Sequence, residues 1–176
     1  LRNVLIHNST LPYFEMAVPT EGVVQRIEHV RELILRPPRI YPMFRKDVVS
    51  VAPDESLAHV MHLVAEMKFS QFPVMDGVRF TGLLTENGIT RWLARKVVVS
   101  MSLVELEDAK VRDLVSEEEK RNNVQFVSRQ TSVAEVLEIF RNNGFLEAVL
   151  ITENGQKAEK LLGMMSRWDL AQVAGR

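Results

Sequence analysis

Cysteine is absent from the 176 residues, which excludes disulfides and thiolate metal sites and fits a reducing compartment. Long apolar runs are missing too. The strongest, Val97 to Val99 and Ala148 to Ile151, fall far short of a bilayer span, so no transmembrane helix or other membrane role is expected and the chain reads as cytoplasmic. Neither sign of charge is in surplus, because 22 basic residues face 23 acidic ones and leave a net charge of −1. A nucleic-acid surface needs a basic excess or stripe, and none is visible. Nor does the chain hold a Gly-x-Ser-x-Gly elbow, a phosphate loop or a His-Glu-x-x-His motif, so nothing in it nominates an enzyme.

What the chain does hold is a duplication. Val51, Ser56, Leu57, Val60, Met61 and Val64 return as Val127, Ser132, Val133, Val136, Leu137 and Phe140 at a constant shift of 76 residues. The echo runs through Phe69 and Phe145 and resumes as Gly82-Leu83-Leu84-Thr85 against Gly163-Met164-Met165-Ser166 at a shift of 81. This places five extra residues of the second copy in one turn. Each copy reads as a βαββα unit too small to close a core alone, so the two are expected to pack about a pseudo-twofold axis, with any ligand between them.

Patterning fills in the units. In the first, a short strand at Val48 to Val51 precedes a helix that begins at Pro53-Asp54-Glu55 and ends near Met67, with Leu57, Val60, Met61 and Val64 inward. Phe72 to Met75 and Phe80 to Leu84 form a hairpin across Asp76-Gly77, and a helix from about Glu86 to Arg95 follows. In the second, Gln125 to Val127 is a strand, Thr131 the expected N-cap, Ser132 to Asn142 a helix and Asn143-Gly144 its stop. Glu147 to Thr152 and Leu161 to Met165 form its hairpin across Glu153 to Lys157, and Arg167 to Val173 closes as a helix.

The expected architecture is therefore α/β (α+β), two pseudo-twofold-related βαββα repeats packed through their sheets plus an N-terminal helical extension. The boundaries are extension 1–45, first repeat 46–96, connector 97–123 with a short helix at Ala109 to Val115, and second repeat 124–176. Within the extension, Val23, Ile27, Val30 and Ile34 recur at helical spacing after Thr20, a plausible N-cap, and Pro37-Pro38 ends the helix. Such a helix packs across the paired repeats or on a partner subunit. The Glu117 to Arg121 charge run reads as a solvated face, and Trp92, aligned with Val173, reads as core or interface.

Several of these segments together resemble the tandem CBS domain pair, or Bateman module: Val51-x-Pro53-x-x-Ser56-Leu57, Phe72-Pro73-Val74-Met75-Asp76, Gly82 to Thr85, and Gly163 to Asp169. The resemblance covers roughly Lys46 to Val173. It implies a non-enzymatic regulatory module that binds an adenosine-containing ligand, such as AMP, ADP, ATP, S-adenosylmethionine or cyclic di-AMP, in a cleft between repeats and signals to a protein partner. No cofactor is required on this reading; the adenine nucleotide or related molecule is an effector. It also implies a homodimer, and the alternative is a ligand-free dimerisation or interaction module.

Residue by residue, the resemblance implies that Ser166 contacts phosphate and that Asp169 grips ribose hydroxyls, with Arg167 adjoining. The chemistry agrees, since a strand-to-helix junction exposes free N–H groups and the positive end of the helix dipole. Ser166 and Asp169 also spell a capping box, so a purely structural role stands beside the functional one. For the base, Phe126, Val127, Phe145, Leu146 and Ala148 of the second repeat are the candidates. The first repeat keeps the hydroxyl in Thr85 but has Gly88 where the carboxylate should be, so one good site is expected. His59 and His62 lie three apart on one helix without an obvious third ligand, and no metal is assigned to them.

Overall fold

Short, mostly continuous apolar runs build two small sheets in the computed structural model, which describes residues 19–67, 69–98, 108–118 and 123–170. The first unit of the chain, residues 1–38, contains helix α1, Glu21–Leu35, capped by extended Thr20 and none of whose residues is buried. The second unit, residues 39–176, runs α2 (Ile40–Phe44), α3 (Leu57–Met67), β1 (Gln71–Asp76), β2 (Arg79–Thr85), α4 (Glu86–Val98) and α5 (Val111–Glu118). It continues with β3 (Val124–Ser128), α6 (Val133–Asn142), β4 (Ala148–Thr152), β5 (Gly163–Ser166) and a 3-10 turn at Arg167–Asp169. The architecture is α+β, as expected. The end of the predicted closing helix, from 171, and residues 119–121 of the charge run lie outside the described residues.

In the second repeat β3 pairs parallel with β4 over five residues, and β4 pairs antiparallel with β5. In the first, β1 and β2 make an antiparallel hairpin, but the strand expected at Val48 to Val51 shrinks to one residue, Val51, bridged to Val74. Two prolines account for the difference. Val51 donates to Pro73 O and accepts from Met75 N–H at 3.0 and 2.9 Å. Extending that ladder backwards needs an N–H at Pro73, and extending it forwards needs one at Pro53; neither exists. The second repeat has Arg129 in place of Pro53, and its N–H duly donates to Thr152 O at 2.9 Å.

Register also corrects the count of insertions. Gln71 sits opposite Thr85, and Ala148 sits opposite Ser166, so the strands are related by a shift of 77 and not 76. One of the five extra residues therefore enters between Phe145 and Ala148, and four enter the hairpin loop. That loop turns on Gly155, whose φ of +80° is a left-handed conformation costly for other residues.

Helix starts differ from expectation where side chains compete for caps. Ser132, not Thr131, caps α6: its hydroxyl accepts from Glu135 N–H, and the Glu135 carboxylate accepts from the Ser132 hydroxyl and N–H. Those bonds hold the Glu135 carboxyl below the usual range, the hydroxyl bond contributing most. On α3, Leu57 and Val60 are buried, whereas Met61 faces outward and Leu63 joins Val64 against the core instead.

Three apolar layers result. Leu57, Val60, Phe72, Leu84, Trp92 and Leu114 centre the first repeat. Val136, Phe140, Leu146, Ile151 and Met165 centre the second, joined by Ile40 of α2, so part of the predicted extension packs on the second repeat. A bridge from Arg45 to Gly163 continues that strap, and a Cβ at Gly163 would collide with the Phe44 carbonyl. The third layer joins the halves: Phe80 and Leu83 from one meet Ala148, Leu150 and Met164 from the other. Among the described residues no helix is long and apolar enough to cross a membrane.

Candidate functional site

Where β5 ends, Ser166 breaks the ladder in extended conformation and the chain tightens into the Arg167–Asp169 turn. The Asp169 carboxylate folds back, and its Oδ2 accepts from the Ser166 N–H at 2.7 Å and from the Ser166 hydroxyl at 2.8 Å. The capping geometry anticipated for this pair is thus present. It also leaves both side chains on the wall of a cavity of about 420 Å³.

Most of the remaining lining comes from the first repeat. Val48, Val49, Phe69, Ser70 and Gln71 line the cavity, with Met164 and Trp168 beside Ser166, and Lys46 and Asp47 supply charge. Val48 and Val49 are free to face a cavity because Pro73 denies their stretch a continuous strand partner. Trp168 is 81% exposed, a large aromatic surface standing at a polar opening.

Of the residues singled out from sequence, Ser166 and Asp169 come together here. Arg167 does not join them: its guanidinium donates to the carbonyls of Asn143, Gly144 and Leu146, at 3.1, 3.1 and 2.7 Å, and lies over the Phe140 ring. It thereby ties down the C-cap and the loop that follows α6, and places a cation at the negative end of that helix. Lys46, unremarked in the sequence, is the cation that lines the cavity among the described residues.

The five base candidates lie elsewhere. Val127, Leu146 and Ala148 are buried core, Phe126 packs edge-on to Phe80 with ring centroids 5.2 Å apart, and Phe145 is 82% exposed. None of the five lines the cavity. The counterparts of three of them do: Phe69, Ser70 and Gln71 stand in the first repeat where Phe145, Leu146 and Ala148 stand in the second, whereas Ser50 and Val51, the counterparts of Phe126 and Val127, do not line it. The cleft thus combines the Ser-Asp turn of one repeat with the strand entrance of the other. Pseudo-twofold packing was the signal that could have located them.

Thr85 is buried, and its hydroxyl accepts from Gly88 N–H at 2.9 Å, a cap without a carboxylate at the third position, where Gly88 stands. His59 and His62 are both exposed, with His59 Nε2 at 3.5 Å from Glu55. Among the described residues no group of three or more potential ligands could hold a metal ion.

The profile of the CBS domain family matches residues 40–95 and again 111–175. Solved structures share the fold. The CBS domain of a CBS domain-containing membrane protein from Sphaerobacter thermophilus is 17% identical over 86% of this chain and 96% of that one, with a TM-score of 0.61. A hemolysin-like protein containing a CBS domain from Oenococcus oeni is 16% identical over 82% and 95%, with a TM-score of 0.57. The CBS domain pair of protein MJ0100, solved in complex with 5′-methylthioadenosine and S-adenosyl-L-methionine, is 12% identical over 79% and 97%, with a TM-score of 0.60.

Proposed function

We propose that this chain, which belongs to the CBS domain family as a tandem pair of repeats, is a non-enzymatic regulatory module binding an adenosine-containing ligand in the cleft between those repeats. One observation carries the reading: Ser166 and Asp169 of the second repeat share a cavity with Phe69 and Gln71 of the first. A ligand spanning both walls senses the angle between the halves. It shifts their arrangement by its differential affinity for the two states, and a protein partner reads the change. A homodimer is part of the same reading.

In this cavity the Asp169 carboxylate accepts hydrogen bonds from ribose hydroxyls, the Ser166 hydroxyl faces a phosphate or equivalent polar group, and Lys46 supplies positive charge. Phe69 and Trp168 offer flat faces to a base. The solved complex of the MJ0100 pair with two adenosine derivatives supports this choice of ligand class.

The competing reading is a ligand-free interaction module, and the bond from Ser166 to Asp169 favours it, since that carboxylate already has structural work. A thermal-shift panel of adenosine mono-, di- and triphosphate, S-adenosylmethionine and cyclic di-AMP on wild type and Asp169→Ala decides between them. Ligand at a hundred times its dissociation constant should stabilise the wild type by about 2.7 kcal/mol. Loss of the Asp169 carboxylate in the variant should weaken binding by at least about ten- to a hundredfold, the contribution of one charge-assisted bond. A wild type that no compound stabilises, or a variant that responds equally, rejects the adenosine site.

A further inference from the structure

Resting on the adenosine reading above, we propose that Gly163 is a positioning residue for the ligand: its missing side chain is what lets the segment forming one side of the cavity lie where it does. That segment is the irregular stretch 46–50, of which Lys46, Asp47, Val48 and Val49 line the cavity. Without regular structure of its own, it is placed by its two ends. At one end Val51 is tied to the first repeat through Pro73 and Met75. At the other, α2 and Arg45 are strapped onto the second repeat. Arg39 bridges to Ser132, Ile40 is fully buried and donates its N–H to Thr131 O at 3.0 Å, and the Arg129 guanidinium lies over the Tyr41 ring at 4.5 Å.

The last hold on the strap before the cavity is the bridge from Arg45 to Gly163. Gly163 is not itself a lining residue, although Met164 and Ser166 of the same strand are. Directly over it lies the Phe44 carbonyl, in the space a Cβ would take. A side chain at this position therefore forces one backbone away from the other. β5 is paired with β4 over four residues, whereas a single bridge joins Arg45 to β5, so the strap is the part that yields. Lys46 comes next in the chain, and its displacement carries Val48 and Val49 with it. The shape of the cavity and the place of its lysine thus depend on a residue that never meets the ligand.

The test is calorimetric titration of the same panel of adenosine compounds into wild type, Gly163→Ala and Gly77→Ala. Gly77 is the matched control, because alanine there strains a turn at φ +61° with open space around it and disturbs no wall of the cavity. A compound that binds the wild type should bind Gly163→Ala about tenfold more weakly, the contribution of one charge-assisted bond from Lys46. Its affinity for Gly77→Ala should be unchanged, although both variants melt earlier. Equal affinities of wild type and Gly163→Ala, or an equal loss in both glycine variants, overturn the role of Gly163 and leave the adenosine site standing. A wild type that binds none of the compounds overturns both. Should Gly163→Ala not fold, Tyr41→Ala loosens the same strap without touching β5; a loss of about two- to fivefold is expected, and unchanged affinity overturns the proposal.

Discussion

Glu159 shows how one carboxylate can order a loop that touches the sheet at a single bridge, Asn154 to Ser128. It accepts from the Asn154 backbone N–H at 2.8 Å, from the Asn154 side-chain amide at 2.7 Å and from the Gln156 N–H at 3.3 Å. Those donors, the Asn154 backbone first among them, lower its pKa from 4.5 to about 2. Because the folded value is depressed, the stabilisation is complete above the ordinary carboxylate range and is lost as pH falls through about 2. Thermal melts of wild type and Glu159→Gln should therefore differ at neutral pH and converge as acid is added between pH 4.5 and about 2. Parallel curves across that window would mean that the carboxylate does not organise the turn. Nothing in the sequence marked Glu159, since its partners, the Asn154 side chain and two backbone N–H groups, are brought to it by the turn at Gly155.

At the scale of elements, local chemistry set limits that periodicity alone does not show. The apolar spacing over α3, β1, β2, β3, α6 and β4 was legible because each buries one face or a continuous run against its own repeat. The strand before α3 was not, since its length depends on donors missing from Pro73 and Pro53 on two separate segments. Choosing between Thr131 and Ser132 as the cap of α6 was equally hidden, for either type suits the position and only the reciprocal bond with Glu135 decides. Ser132→Ala should thus lower stability by about 1 kcal/mol in urea denaturation. Thr131→Ala should change it little, because Thr131 bonds through its backbone, its N–H donating to Ser128 O and its carbonyl accepting from Ile40 N–H, each at 3.0 Å. The opposite ranking would return the cap to Thr131.

For the whole molecule, the duplication fixed the architecture in advance, and the turn of the candidate site, Ser166 with Asp169, was legible from its place after the last strand. The remaining wall was not, because comparing the copies in line assigns every position to its own repeat, whereas a twofold arrangement exchanges partners across the axis. The same symmetry bears on assembly. If the pair forms the proposed homodimer, light scattering should give twice the 20.1 kDa chain mass, and a monomer at working concentration would reject it. The apolar layer in which Phe80 and Leu83 meet Ala148, Leu150 and Met164 has a final consequence, since neither hairpin owns it. A gene truncated to either copy would encode a half-molecule with an oily flank laid bare, so evolution can tune the two copies separately but cannot discard one.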